Sequence, residues 1–259
     1  MKSIAIGRRR VEHIMGTAIS VHLTTPLPDS TLDRLADETF AWLRLVDQRF
    51  STYRSDSEVN RLHHGELKLG EASSDLRHVL DACADLWRDT GGTFDVYATG
   101  CLDPSGYVKG WAAQVASDRL LAAGCPDHCI NAGGDVRLRG FHAPGEPWRA
   151  GVRDPWHANK LCFVVEGTDL AIATSGVYER GQHIIDPHAG VPAIGLRSVT
   201  VIGSDLGVCD AYATAAVAKG TDGIRWLSQL DGYSYAAITA DGEFFQSVAG
   251  ATSPIRAMP

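Results

Sequence analysis

The sequence predicts an α+β fold. Helical and strand patterns alternate irregularly along it, with no repeated strand–helix–strand unit of the kind that builds a doubly wound parallel sheet. Two strand patterns follow each other directly in 233–248, around the turn Ala240-Asp241-Gly242, as in a hairpin. No internal repeat, low-complexity linker or compositional break divides the chain, so residues 1–259 read as a single domain.

The elements follow from the spacing of apolar residues. Residues 17–25 alternate as a half-buried strand does. In 32–50 the apolar positions 32, 35, 36, 40, 43, 46 and 50 fall on one face of a helix. The stretch 75–90 repeats that pattern with Leu76, Val79, Leu80, Cys83, Leu86 and Trp87; Ser74 is suited to cap its start and Gly91 its end. A third helix is expected over 108–123, stopped by Gly124. Strands are expected at 134–139, 147–152, 161–173 and 197–203, with 140–160 as the loosest loop region. A fourth helix covers 205–219, and Thr221-Asp222 caps a short fifth.

Composition excludes several classes. Apolar residues make up 44% and charged residues 21%, as in an ordinary globular protein. A net charge of −7 and the lack of a basic stripe speak against nucleic-acid or anionic-membrane partners. Gly7-Arg8-Arg9-Arg10 is the only basic run and reads as a solvated N-terminal segment. No apolar stretch reaches the roughly 18 residues of a membrane span. The N-terminal residues lack a secretory or lipid-anchor pattern, which points to a cytoplasmic protein with reduced cysteines. Cys125-Pro126-Asp127-His128-Cys129 invites a zinc site but lacks a second ligand pair.

Polar chemistry concentrates in 174–190 and in the helix that follows. Thr174, Ser175, Tyr178, Arg180, His183 and Asp186 stand among turn-forming glycines and Pro187. Asp210 and Thr214 lie four apart on one helix face. A carboxylate with a hydroxyl is oxygen chemistry suited to Mg²⁺, which needs few protein carboxylates because it keeps waters and substrate phosphates. From spacing alone, the same pair reads more readily as an aspartate favoured by the helix dipole and a threonine facing a neighbour. His183 is suited to general-base work with Asp186 to orient it, or is a histidine ending a strand before a turn. The segment 102–110 is a turn entering a helix, with Lys109 in the first turn. The dipole disfavours a cation there, so Lys109 needs an anion nearby unless it is simply solvated. Gly133-Gly134 suits a bulge or a close backbone approach. Tyr53 is placed to stack on a flat heterocycle or to pack on its own helix.

Read together, these motifs resemble the ApbE family, the FAD:protein FMN transferases. The resemblance is carried by Met15-Gly16-Thr17, Phe50-Ser51-Thr52-Tyr53 with Ser57-Glu58, Gly91-Gly92-Thr93-Phe94-Asp95, Lys109-Gly110-Trp111-Ala112 and Asn131-Ala132-Gly133-Gly134-Asp135. It continues through Thr174-Ser175-Gly176, His183-Ile184-Ile185-Asp186-Pro187 and Asp210-Ala211-Tyr212-Ala213-Thr214, so that it spans roughly residues 12–220. It implies a mixed, mainly antiparallel sheet flanked by helices. The implied activity is Mg²⁺-dependent transfer of FMN from FAD to a threonine or serine of an acceptor protein, releasing AMP. By the same resemblance, Asp210, Thr214 and the Gly106 carbonyl hold the metal. Met15, Tyr53, Thr93, Phe94, Asp95, Asp103, Lys109 and Ile185 line the FAD site, and His183 activates the acceptor hydroxyl. The chain departs from the family between Asp95 and Asp103, where only seven residues stand in place of a longer segment. Two rival readings carry distinct products: an FAD pyrophosphatase yielding free FMN and AMP, and a flavin-binding protein yielding neither.

Overall fold

A computed structural model describes residues 7–157, 159–177, 184–247 and 255–257. The chain opens with a hairpin of β1 (Arg8–Ile14) and β2 (Thr17–Leu23), then runs through α1 (Asp29–Phe50), α2 (Glu58–His63), α3 (Ser74–Asp89) and α4 (Ser105–Ala122). Next come β3 (His128–Ala132), β4 (Asp135–Arg139), β5 (Phe141–Ala143), β6 (Glu146–Arg153), β7 (Leu161–Gly167), β8 (Asp169–Gly176), β9 (Ile185–Asp186), β10 (Val191–Pro192) and β11 (Leu196–Gly203). The last elements are α5 (Leu206–Ala218), α6 (Asp222–Leu227), β12 (Ser234–Thr239), β13 (Phe244–Gln246) and β14 (Ile255–Ala257).

Eight strands form the main sheet in the order β1-β2-β3-β4-β8-β11-β12-β13, and a four-stranded sheet runs β14-β7-β6-β5. The pairs described are antiparallel throughout, as expected of this α+β fold. Successive side chains of a strand point to opposite faces. Along β8, Ala171 and Ala173 accordingly join the large core built with the helices, while Ile172 joins a second core. That second core packs Val136, Leu138, Ile202 and Ala236 of the main sheet against Trp148, Val152, Phe163 and Val165 of the small one. The molecule is thus three-layered, with helices, main sheet and small sheet in that order.

The helical periods hold. Leu32, Leu35, Ala36, Phe40, Leu43, Val46 and Phe50 are all buried on α1. On α3, Leu76, Val79, Cys83 and Leu86 are buried, whereas Trp87 is half exposed. The α3 cap is Ser73 rather than Ser74: the Ser73 hydroxyl accepts the Leu76 N–H. Thr221 precedes α6 without a side-chain capping bond.

Four expectations are corrected. The basic run is not a solvated tail but the start of β1, where Arg8 Nε reaches Asp33 at 2.7 Å and Arg10 pairs with Asp37 on α1. The apolar stretch 161–173 is two strands, because the chain turns at Thr168 and passes from the small sheet into the main one. The expected loose region holds β5 and β6. Finally, α4 starts at Ser105, so Lys109 lies one turn inside the helix; Ser105 and Gly106 are small and leave no apolar period to mark that first turn. No described helix is long and apolar enough to cross a membrane, and all six cysteines are free thiols.

The zinc motif is a packing feature instead. Fully buried His128 is held at both ring nitrogens: Nδ1 lies 2.7 Å from the Cys125 carbonyl and Nε2 2.7 Å from Ser117 Oγ. Burial pushes its pKa from 6.5 down to about 4. The unfolded chain therefore takes up this proton first. The stabilisation is complete above pH ~6.5 and is lost as pH falls towards ~4, a contribution of about 3 kcal/mol. His128→Gln is expected to flatten the fall in urea-unfolding free energy across that window; an equal slope in both proteins would refute the assignment.

Candidate functional site

Antiparallel pairing brings several turns to one end of the main sheet. Met15 and Gly16 join β1 to β2 with φ of 54° and 70°, and Gly133 and Gly134 join β3 to β4 with φ of 65° and 105°. Both turns have two central residues in the left-handed region, the type I′ geometry that matches strand twist. At the second, two glycines adopt it without strain, and Asp135 follows as the first residue of β4. The two turns abut: a side chain on Gly133 would strike the Thr17 hydroxyl at 2.5 Å. Because β4 pairs with β8, Asp135 meets the far end of β8, where its Oδ1 accepts the Thr174 N–H at 3.0 Å.

Helices α4 and α5 cross over this end of the sheet at a glycine contact. A Cβ on Gly110 would lie 2.4 Å from the Leu206 carbonyl, and one on Gly207 would lie 2.7 Å from the Tyr107 ring. That approach delivers Lys109 to two carboxylates. Its Nζ stands 3.0 Å from Asp210 Oδ2 and pairs also with Asp135 Oδ2. The Asp135 and Asp210 side chains are 2% and 6% exposed and that of Lys109 23%, so the three charges are largely withdrawn from water. The anions demanded by Lys109 are thus supplied by the protein itself.

Thr214, one turn beyond Asp210, places Oγ1 3.0 Å from Ser175 Oγ. Gly106 lies alongside, since a Cβ there would sit 3.7 Å from Thr214 Oγ1. Thr174 Oγ1 in turn meets Thr200 Oγ1 at 2.9 Å. Asp210 and Thr214 therefore face one cluster with Ser175, Gly106 and Lys109. The side chains brought together here offer oxygens, a carboxylate and hydroxyls, with the Gly106 backbone beside Thr214. Such a set fits a hard divalent cation such as Mg²⁺ and does not fit a thiophilic metal. Among the described residues no group of three or more His, Cys, Asp or Glu side chains forms a metal cage, so a cation here needs oxygens from water or from a ligand.

A second group surrounds the loop after α3. Thr90 O accepts bonds from Thr93 Oγ1 at 2.9 Å and from Lys219 Nζ at 2.7 Å, and Thr90 Oγ1 accepts the Phe94 N–H at 3.0 Å. Thr93 and Phe94 are buried. Lys219 leaves the C-terminal end of α5 with its ammonium 5.3 Å from the centre of the Trp226 ring, and burial lowers its pKa. Thr93, Asp186, His188, Lys219, Arg225, Trp226 and their neighbours line a cleft of about 530 Å³. His188 closes one side by bonding the Gly91 carbonyl through Nε2 at 3.1 Å.

The remaining expected positions are dispersed. Asp103 Oδ1 accepts the Ser105 N–H at the start of α4, and Asp95 Oδ1 accepts the Tyr97 N–H. Met15 packs partly on the large core, and half-buried Ile185 pairs with Pro192 in the β9–β10 hairpin. Tyr53 is 98% exposed, so it does not pack on its own helix. His183 lies outside the described residues. Asp135 and Lys219 were not read as site residues from sequence. Asp135 stood beside a glycine pair that explained the motif by itself, and Lys219 meets its partner from 129 residues away.

The ApbE family model matches residues 15–102 and 97–238, and the two matches meet in the short stretch noted before Asp103. An alignment of 153 positions, covering 56% of this chain, is 38% identical to the FAD:protein FMN transferase of Rhodobacter capsulatus and covers 29% of that protein. An alignment of 131 positions, covering 47% of the chain, is 34% identical to the enzyme of the same name from Vibrio cholerae and covers 39% of it. The matched regions thus span less than half the length of these curated relatives. Among solved structures, the flavin transferase ApbE from Vibrio cholerae superposes with a TM-score of 0.80 at 24% identity, over 93% of this chain and 98% of that one, and shares the fold.

Proposed function

Because the chain belongs to the ApbE family, we propose that it is an FAD:protein FMN transferase, moving FMN from FAD to a threonine or serine hydroxyl of an acceptor protein with Mg²⁺ and releasing AMP. The observation that carries this reading is the cluster of buried Asp210 and Ser175 with half-buried Thr214 and Gly106 beside Lys109. Asp210, Thr214 and the Gly106 carbonyl would hold the cation, which when bound offsets charge developing on the pyrophosphate. Lys109 would supply a fixed positive charge to the phosphates. Thr93, Phe94 and the cleft beside them would bind one end of the dinucleotide; a cleft of about 530 Å³ is in the range of small-molecule sites. Met15, Tyr53, Asp95, Asp103 and Ile185 would complete the FAD contacts.

In the proposed reaction the acceptor oxygen attacks the FMN-side phosphorus, the bond to AMP breaks, and the hydroxyl proton passes to His183. An alcohol is a weak nucleophile until a base takes its proton, which is the task assigned to that histidine. The test is incubation with FAD and Mg²⁺, with and without a domain bearing a flavinylation-type Ser/Thr motif, following AMP and the mass of the acceptor. AMP together with an acceptor heavier by FMN is the expected outcome. AMP and free FMN with a competent acceptor present would establish a hydrolase. Retained FAD without AMP would establish a binding protein.

A further inference from the structure

We propose that Asp135 is a positioning residue of the metal site: it holds the Lys109 ammonium so that Asp210 can serve a divalent cation. The inference rests on the metal-dependent reading above. Lys109 is shared between two carboxylates that differ in their surroundings. Asp135 is the more buried, and its second oxygen is held by the Thr174 N–H at 3.0 Å at the edge of the two-glycine turn. It cannot readily turn away from Lys109. Asp210 stands instead on the helix face that also carries Thr214 and looks onto Ser175 and Gly106. It is the carboxylate whose neighbours are oxygen donors.

A cation arriving at Asp210 competes with the ammonium for the same oxygen. With Asp135 in place, Lys109 keeps a buried counter-charge after Asp210 is engaged by metal. Without it, Lys109 has only Asp210, because an ammonium so far withdrawn from water needs a partner. The removal of Asp135 therefore weakens metal binding although Asp135 is not itself assigned as a ligand. Outer partners of metal ligands commonly carry effects of this kind.

The experiment is Mn²⁺ binding to the whole protein by electron paramagnetic resonance, without FAD. Asp135→Asn keeps an oxygen for the Thr174 N–H and removes the charge. It is expected to raise the Mn²⁺ dissociation constant roughly ten- to a hundred-fold. Lys109→Met is expected to bind Mn²⁺ at least as tightly as the parent, because the competing ammonium is gone. The double variant is expected to recover the parental constant to within about threefold. That recovery separates positioning from a structural role, since a merely damaged site would stay weak in the double variant. Asp135→Asn binding Mn²⁺ like the parent, or a double variant as weak as the single, overturns the proposal. A parent protein that binds no Mn²⁺ overturns the metal reading and this inference with it.

Discussion

Asp210→Asn is expected to abolish Mg²⁺-dependent FAD cleavage, lowering its rate by about 10³-fold or more, which corresponds to about 4 kcal/mol of transition-state stabilisation. The effect is large because, among the described residues, Asp210 supplies the negative charge on the helix face shared with Thr214, while Ser175, Thr214 and Gly106 are neutral. An amide keeps the shape but gives up the charge that attracts a hard cation. The fold is expected to survive, because Lys109 keeps Asp135 as its partner and no buried charge is stranded. The decisive comparison is between AMP release and thermal unfolding. Lost turnover with a melting temperature within a few degrees of the parent supports a ligand. Lost turnover with a collapsed fold would show that Asp210 is needed for packing, and unchanged turnover would remove it from the metal site.

Gly110→Ala is the second large effect. Alanine gains about 1 kcal/mol over glycine in a helix interior. Here the new methyl would stand 2.4 Å from the Leu206 carbonyl and 2.9 Å from Gly207 Cα. Both are backbone atoms, so relief requires the two helices to move apart, at a cost of about 3 kcal/mol or more. The clash wins, and net destabilisation of about 2 kcal/mol is expected in urea unfolding. Activity should suffer further, because Gly106 and Lys109 ride on one helix and Asp210 and Thr214 on the other. A displacement near 1 Å between them is expected to cost about 100-fold in turnover. Gly70→Ala is the control: nothing lies within 4 Å of a Cβ there, and the change should be nearly silent.

The four long helices α1, α3, α4 and α5 were legible in the sequence because each is amphipathic or buried over many turns, so that a 3.6-residue period accumulates, whereas the six-residue α2 is too short to show one and was not expected. Strands gave a weaker signal. Arg8, Arg9 and Arg10 hid a strand, since an edge strand beside acidic α1 side chains can place arginines on its surface and still pair along its whole backbone. The corner at Thr168 was passed over because the runs on either side are both apolar and merge into one strand-like stretch, although Gly167-Thr168-Asp169 is itself a turn signal. At the site, the oxygen pair on α5 and the need of Lys109 for an anion were legible from spacing and charge. The identity of that anion was not. Asp135 and Asp210 come from a strand start and a helix interior that meet only through the topology of the sheet, and pattern within a window of residues carries no information about such a meeting.

The lysine that joins those carboxylates also ties the site to the last events of folding. Lys109 and Asp210 are separated by 101 positions, and Asp135 and Thr174 by 39. Closing loops of that length is entropically costly and comes late, after local helices and hairpins have formed. The oxygen cluster therefore comes into being only when β4, β8, α4 and α5 are all docked. A chain in which these four elements are not docked lacks the assembled cluster of Lys109, Asp135, Asp210 and Thr214. Completion of the site thereby coincides with completion of the fold.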